Sequence, residues 1–144
     1  MYLIGVPLLV IPFAVYNIIE FLTPGATPAE FWAATVAGVP LASGERWVLS
    51  AGDLLIAVSI LILFVELVKA TRLSSRSIID HVLSTLLFIV MLLEFLLVKQ
   101  AATGTFFLLL IICFVDVVGG FSVTIRSAQR DITIDGTGTP VQHG

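Results

Sequence analysis

The sequence predicts an all-α polytopic membrane protein, a four-transmembrane-helix bundle with a short interfacial helix in its first outer loop. Three observations lead there. Of the 144 residues, 58% are hydrophobic and only 12% are charged, where a soluble domain carries about 25% charged residues. The mean hydropathy is +1.12, too apolar for one small core to hide, so lipid must cover the rest. The apolar residues also gather in four runs near 2–22, 48–69, 78–98 and 105–126. Each approaches the roughly 20 helical residues that cross a hydrocarbon layer about 30 Å thick.

The first run is the least regular. Pro7 suits an opening turn, whereas Pro12 is expected to kink the helix. Residues 1–19 contain neither Lys nor Arg, so the basic start of a signal peptide is missing and the run reads as a span. Runs two to four are dense in Leu, Ile, Val and Phe. None alternates as a β-barrel strand would. Residues 1–130 make one membrane domain, and 131–144, rich in Thr, Gly and Asp, make a flexible polar cytoplasmic tail.

Basic residues orient the bundle. Lys69, Arg72 and Arg76 lie between spans two and three, and Arg126 and Arg130 follow span four. Five of seven cations thus share one side, with Arg46 and Lys99 on the other. By the positive-inside rule both termini are cytoplasmic, and the expected setting is a bacterial inner (cytoplasmic) membrane. Trp47 stands where an interfacial aromatic anchor belongs.

The loop between spans one and two carries its own signal. Thr27-Pro28-Ala29-Glu30 has a capping Thr, Pro at the first helical position and Glu three residues past the cap. A helix is expected from Pro28 to about Ala37, ended by Gly38 and Pro40. Phe31, Trp32 and Val36 would give it an apolar side for the membrane surface.

Five acids within or beside the spans are the candidate contacts for an ion or a partner: Glu20, Asp53, Glu66, Glu94 and Asp116. Ser50 can cap the second helix, with Asp53 in its favourable first turn. Glu66 can pair with Lys69 one turn on. Glu20 lies beside Asn17 and Tyr16. Glu94 sits about 7 Å deep at about 1.5 Å per residue, at a poor spacing from Lys99. Asp80 and His81, behind a possible Ser77 cap, are expected at the interface.

Asp116 is the hardest to explain locally. A carboxylate at mid-membrane depth costs about 2.5–3.5 kcal/mol on insertion scales, so it usually has a partner or a task. Asp116, Gly120 and Thr124 form a small, polar stripe on which another helix can close, within the bundle or beyond it.

Much is excluded. Cys113 is the sole cysteine and the histidines are His81 and His143, which provides neither a cysteine-based metal site nor a haem held by two suitably placed histidines. No phosphate loop or nucleophile–base pair is present. The expectation is a non-enzyme with no cofactor and no metal. The net charge of −3, without a basic run, gives no reason to expect nucleic acid. The partners expected are the lipid bilayer and other membrane subunits or copies of the chain. An accessory or assembly subunit of a membrane complex is the first reading, and an oligomeric proton or cation channel or transporter the second. Gating by voltage would need a ladder of cations in the fourth helix, whose centre holds an acid instead.

Overall fold

The computed structural model describes residues 5–23, 25–72 and 75–136, with the side chains of residues 75–77, 124, 127–128 and 131–136 outside that description. The chain runs helix α1 (Val10–Leu22), helix α2 (Pro28–Ala33), strands β1 (Thr35–Pro40) and β2 (Arg46–Ser50), then helices α3 (Ala51–Ala70), α4 (Ser75–Leu97) and α5 (Gly104–Gly136). A 3₁₀ turn, Lys99–Ala101, joins the last two. Among the described residues, three segments are long and apolar enough to cross a membrane: Ala51–Ala70, Ile78–Leu97 and Gly104–Val123.

The first of the four expected spans is not among them. α1 has 13 residues, about 20 Å at about 1.5 Å per residue, short of the ~30 Å hydrocarbon layer. Its start is set by Pro12. That residue falls at the third helical position, in the first turn, where its missing N–H has no intrahelical bond to lose. Pro12 therefore opens the helix rather than kinking it, and Pro7 lies before it, its carbonyl accepting from Val10 N–H at 3.0 Å.

An all-α fold is corrected by the hairpin. α2 begins as expected, with the Thr27–Glu30 capping box formed and Thr27 N–H donating to Glu30 Oε2 at 3.2 Å. It ends at Ala33, not near Ala37, because Ala34 turns extended and β-branched Thr35 and Val36 follow. β1 and β2 pair antiparallel, Val39 opposite Trp47 and Gly38 opposite Val48, with a register irregularity between Thr35 and Ala37. The loop Ala42-Ser43-Gly44 is closed by Leu41 N–H on Glu45 O at 2.8 Å. Gly44 has φ +88°, a left-handed conformation that glycine adopts without a Cβ penalty. Residues 48–50 of the expected second span thus belong to β2, and Val36, expected on a helix face, is an exposed strand residue.

α3 starts where the sequence places its cap. Ser50 Oγ accepts from Asp53 N–H at 3.1 Å and Asp53 Oδ2 accepts from Ser50 N–H at 3.0 Å. α4 begins at Ser75, ahead of the expected Ser77 cap, so Asp80 is not in its first turn. α5 has 33 residues, about 50 Å long. It overruns the expected span and carries residues 131–136 of the expected tail as helix, while 137–144 lie outside the described residues.

α5 packs against both α3 and α4. Lipid tails are as apolar as Leu, so close packing and polar contacts rather than water exclusion hold such helices together. Adjacent glycines on α5 show the close approach. A Cβ on Gly119 would lie 2.8 Å from Leu67 Cδ2 of α3, and one on Gly120 would lie 2.7 Å from His81 Cε1 of α4. At the other end of α3, a Cβ on Gly52 would meet Thr105 Oγ1 at 2.5 Å and the Trp32 carbonyl at 3.0 Å. Between the ends lies an apolar layer of Leu55, Leu87, Met91, Leu109, Ile112 and Cys113. Its buried Ser59 is satisfied within α3 through the Leu55 carbonyl at 2.7 Å.

Candidate functional site

Polar side chains collect at the two ends of the bundle. The end where α3 finishes and α4 begins carries Lys69 and Arg72 and is called the basic end below. The opposite end carries α2 and the hairpin.

At the hairpin end, α1 is fastened to the rest of the chain by side chains. Tyr16 is fully buried. Its hydroxyl donates to the Gln100 carbonyl at 2.7 Å and lies 2.7 Å from Thr103 Oγ1. Its ring stacks on Trp32, centroids 4.8 Å apart and planes 6° from parallel, a geometry worth about 0.5–1.5 kcal/mol beyond burial. Trp32 Nε1 in turn donates to Glu20 Oε1 at 2.5 Å. Asn17 Nδ2 reaches Glu94 Oε2 at 3.4 Å, while Glu94 Oε1 is buried without a hydrogen-bond partner. Glu20 and Glu94 thus serve a network that seats α2 and α1 on the bundle. Glu94 meets Asn17 of α1 rather than depending on Lys99.

Asp53 stands apart from this network. It is exposed, holds the start of α3, and lines a recess of about 240 Å³ with Ser50, Gly52 and Thr105. Glu30, outside the spans, has its carboxyl held below the usual carboxylate range by the Thr27 hydroxyl and then the Thr27 N–H.

The denser constellation lies at the basic end. Glu66, Lys69 and Ala70 of α3, Asp80 and His81 of α4, and Asp116 and Gly120 of α5 line one small cavity. Its volume, about 20 Å³, is enough for one water, which needs roughly 10–15 Å³. Glu66, His81 and Asp116 are 6%, 7% and 5% exposed. Glu66 accepts from Lys69 Nζ at 3.4 Å and from the backbone N–H of Leu8. Asp116 is hydrogen-bonded by Ser84, itself buried. His81 stacks on Phe121, centroids 4.9 Å apart, and its carbonyl accepts from Thr85 Oγ1 at 2.8 Å. One oxygen of Asp80 and one of Asp116 are buried without a hydrogen-bond partner.

This arrangement takes one of the two alternatives of the sequence reading for Asp116 and departs from it at His81. Asp116 is turned inward, towards α3 and α4, and the helix that closes on the Asp116–Gly120 stripe is the chain's own α4. Thr124, the third member, has a side chain outside the described residues. His81, expected at the interface, is buried because the bare Gly120 surface admits its ring. Sequence spacing did not reveal that Asp80, His81 and Ser84 join Glu66 and Asp116. The available signal was Ser84 standing four residues after Asp80 and three after His81 on one helix, together with a facing glycine.

Chemically, the cavity offers three carboxyl groups, an ammonium and an imidazole, with the Ser84 hydroxyl on Asp116. Among the described residues, no group of three or more His, Cys, Asp or Glu side chains is placed to hold a metal ion. Comparisons with family models, with curated proteins and with solved structures return no match to this chain.

Proposed function

We propose that this chain is a non-enzymatic integral membrane protein, an accessory or assembly subunit that packs through its helices into a larger membrane complex. One observation carries the reading. Among the described residues, the polar groups of the two ends are separated by the apolar layer of Leu55, Leu87, Met91, Leu109, Ile112 and Cys113. Large side chains meanwhile point outward along all three long helices, among them Leu61 and Phe64 on α3, Leu96 on α4 and Phe114 on α5. Lipid or a neighbouring subunit must cover them. The setting proposed is a bacterial inner membrane with both termini on the cytoplasmic side, supported by the cluster of Lys69, Arg72, Arg76, Arg126 and Arg130.

Extraction in native lipid followed by mass spectrometry tests this reading. It expects other membrane proteins in stoichiometric amounts. Recovery of the chain alone, as a monomer or a homo-oligomer, overturns it.

A second reading, an oligomeric proton or cation channel or transporter, draws on the buried Glu66, Asp80 and Asp116 around one cavity. It requires several copies to build a path past the apolar layer. Liposomes holding the purified chain would then show pH- or cation-driven flux, abolished by Asp116→Asn.

A further inference from the structure

Three helices each bring a carboxyl group to the basic-end cavity: Glu66 from α3, Asp80 from α4 and Asp116 from α5. The charged and titratable groups facing Asp116 are Glu66 and Lys69 on α3, Asp80 and His81 on α4, and Cys113 one turn away on α5 itself. Among the described side chains, Lys69 brings the permanent positive charge. Three ionised acids against that one ammonium would repel one another in a place where water is scarce and charge is poorly screened.

The hydrogen bonds show which acid tolerates charge. Glu66 has the Lys69 ammonium and the Leu8 N–H as donors. Asp116 has one hydroxyl, from Ser84, and its Oδ2 is buried with no partner. A lone pair buried without a donor is costly, whereas a proton on that oxygen turns it into a donor that can reach into the cavity. A proton needs only one acceptor oxygen, and the unpartnered Asp116 Oδ2 is such an oxygen. Asp80 is only half-buried and one of its oxygens is also unpartnered. It lines the cavity near the start of α4 and is the most exposed of the three acids.

We propose that this cavity is a proton-binding site in which Asp116 Oδ2 holds the proton, Glu66 remains the charged acceptor, and Asp80 with one cavity water passes protons in from the basic end. On binding, an O–H bond forms at Asp116 Oδ2 as a hydronium or buffer acid gives up its proton, and the cluster gains one positive charge. The apolar layer closes the other side, so a single chain binds the proton without conducting it. This inference does not depend on the subunit reading.

Infrared titration of the full chain in lipid nanodiscs, from about pH 4 to about pH 9 to cover the carboxyl and histidine ranges, tests it. The expected result is a protonated-carboxyl C=O band present at neutral pH, lost in Asp116→Asn and kept in Glu94→Gln. Ser84→Ala should shift the band's frequency, because the hydroxyl bonds the same group. Asp80→Asn should slow its exchange into deuterated water. If Asp116→Asn does not fold, the wild-type band and its response to Ser84→Ala decide the question. The absence of any such band at neutral pH overturns the proposal. So does a band that Ser84→Ala leaves unmoved, or one that Glu94→Gln abolishes.

Discussion

The buried carboxylate of Glu66, in the last turns of α3, accepts a hydrogen bond from the backbone N–H of Leu8, 58 residues earlier in the chain. Leu8 lies one residue before Leu9, the cap of α1, so its N–H is outside the helical ladder and needs another acceptor. The Glu66 carboxylate supplies it, next to the positive end of the α1 dipole. One side chain thus ties the segment before α1 to the acid cavity.

Glu66→Ala should therefore loosen the segment before α1 more than the rest of the bundle. Removing a charged acceptor from a buried N–H costs about 1–3 kcal/mol. Hydrogen exchange in nanodiscs should show faster exchange at residues 8–12, with α5 little changed. Glu66→Gln keeps an acceptor oxygen and should fall between the two.

Gly120→Ala should destabilise through His81. The added methyl would lie 2.7 Å from the imidazole, and crowding of a packed site costs about 1–3 kcal/mol. Gly104→Ala is the control, since nothing lies within 4 Å of its Cβ position. Unfolding in mixed micelles should lower the midpoint for the first substitution and leave the second near wild type.

Tyr16→Phe separates hydrogen bonding from stacking at the hairpin end. The ring keeps Trp32 and Phe106 as neighbours, but the Gln100 carbonyl and Thr103 hydroxyl lose their partner. The expected loss is about 0.5–1.5 kcal/mol, the net worth of a hydrogen bond at a partly buried site. Trp32 fluorescence should report it as a lower unfolding midpoint with an unchanged folded spectrum.

The start of α2 should depend on pH through Glu30. Its folded carboxyl is held below its ordinary value by Thr27, so the charged form stabilises the fold. That contribution is complete above the ordinary carboxyl range and disappears as pH falls through the lower, folded value. Amide exchange at Thr27 should accelerate on that acid side, and Glu30→Gln should remove the dependence.

How much of this was legible in the sequence can be judged residue by residue. The Thr27–Glu30 and Ser50–Asp53 boxes were readable because their partners lie three residues apart, and local spacing fixes such contacts. The hairpin was missed because Val36, Val39, Trp47 and Val48 suit a strand as well as an interfacial helix. The Ser43-Gly44 pair was the available turn signal, and Gly44 alone there has the left-handed φ. Pro12 was misjudged because its effect depends on where the helix begins, which the apolar run did not mark.

Composition and run length by themselves marked this chain as one for a bilayer, since transfer into hydrocarbon is a sum over residues, but they offered four spans where three helices among the described residues are long and apolar enough. Only the tertiary structure decided which buried acids meet. Glu66, Asp80 and Asp116 are separated by 14 and 36 positions, and no periodicity within one helix records how three helices rotate about their axes. Gly119 and Gly120 set that rotation, by admitting Leu67 on one side and His81 on the other.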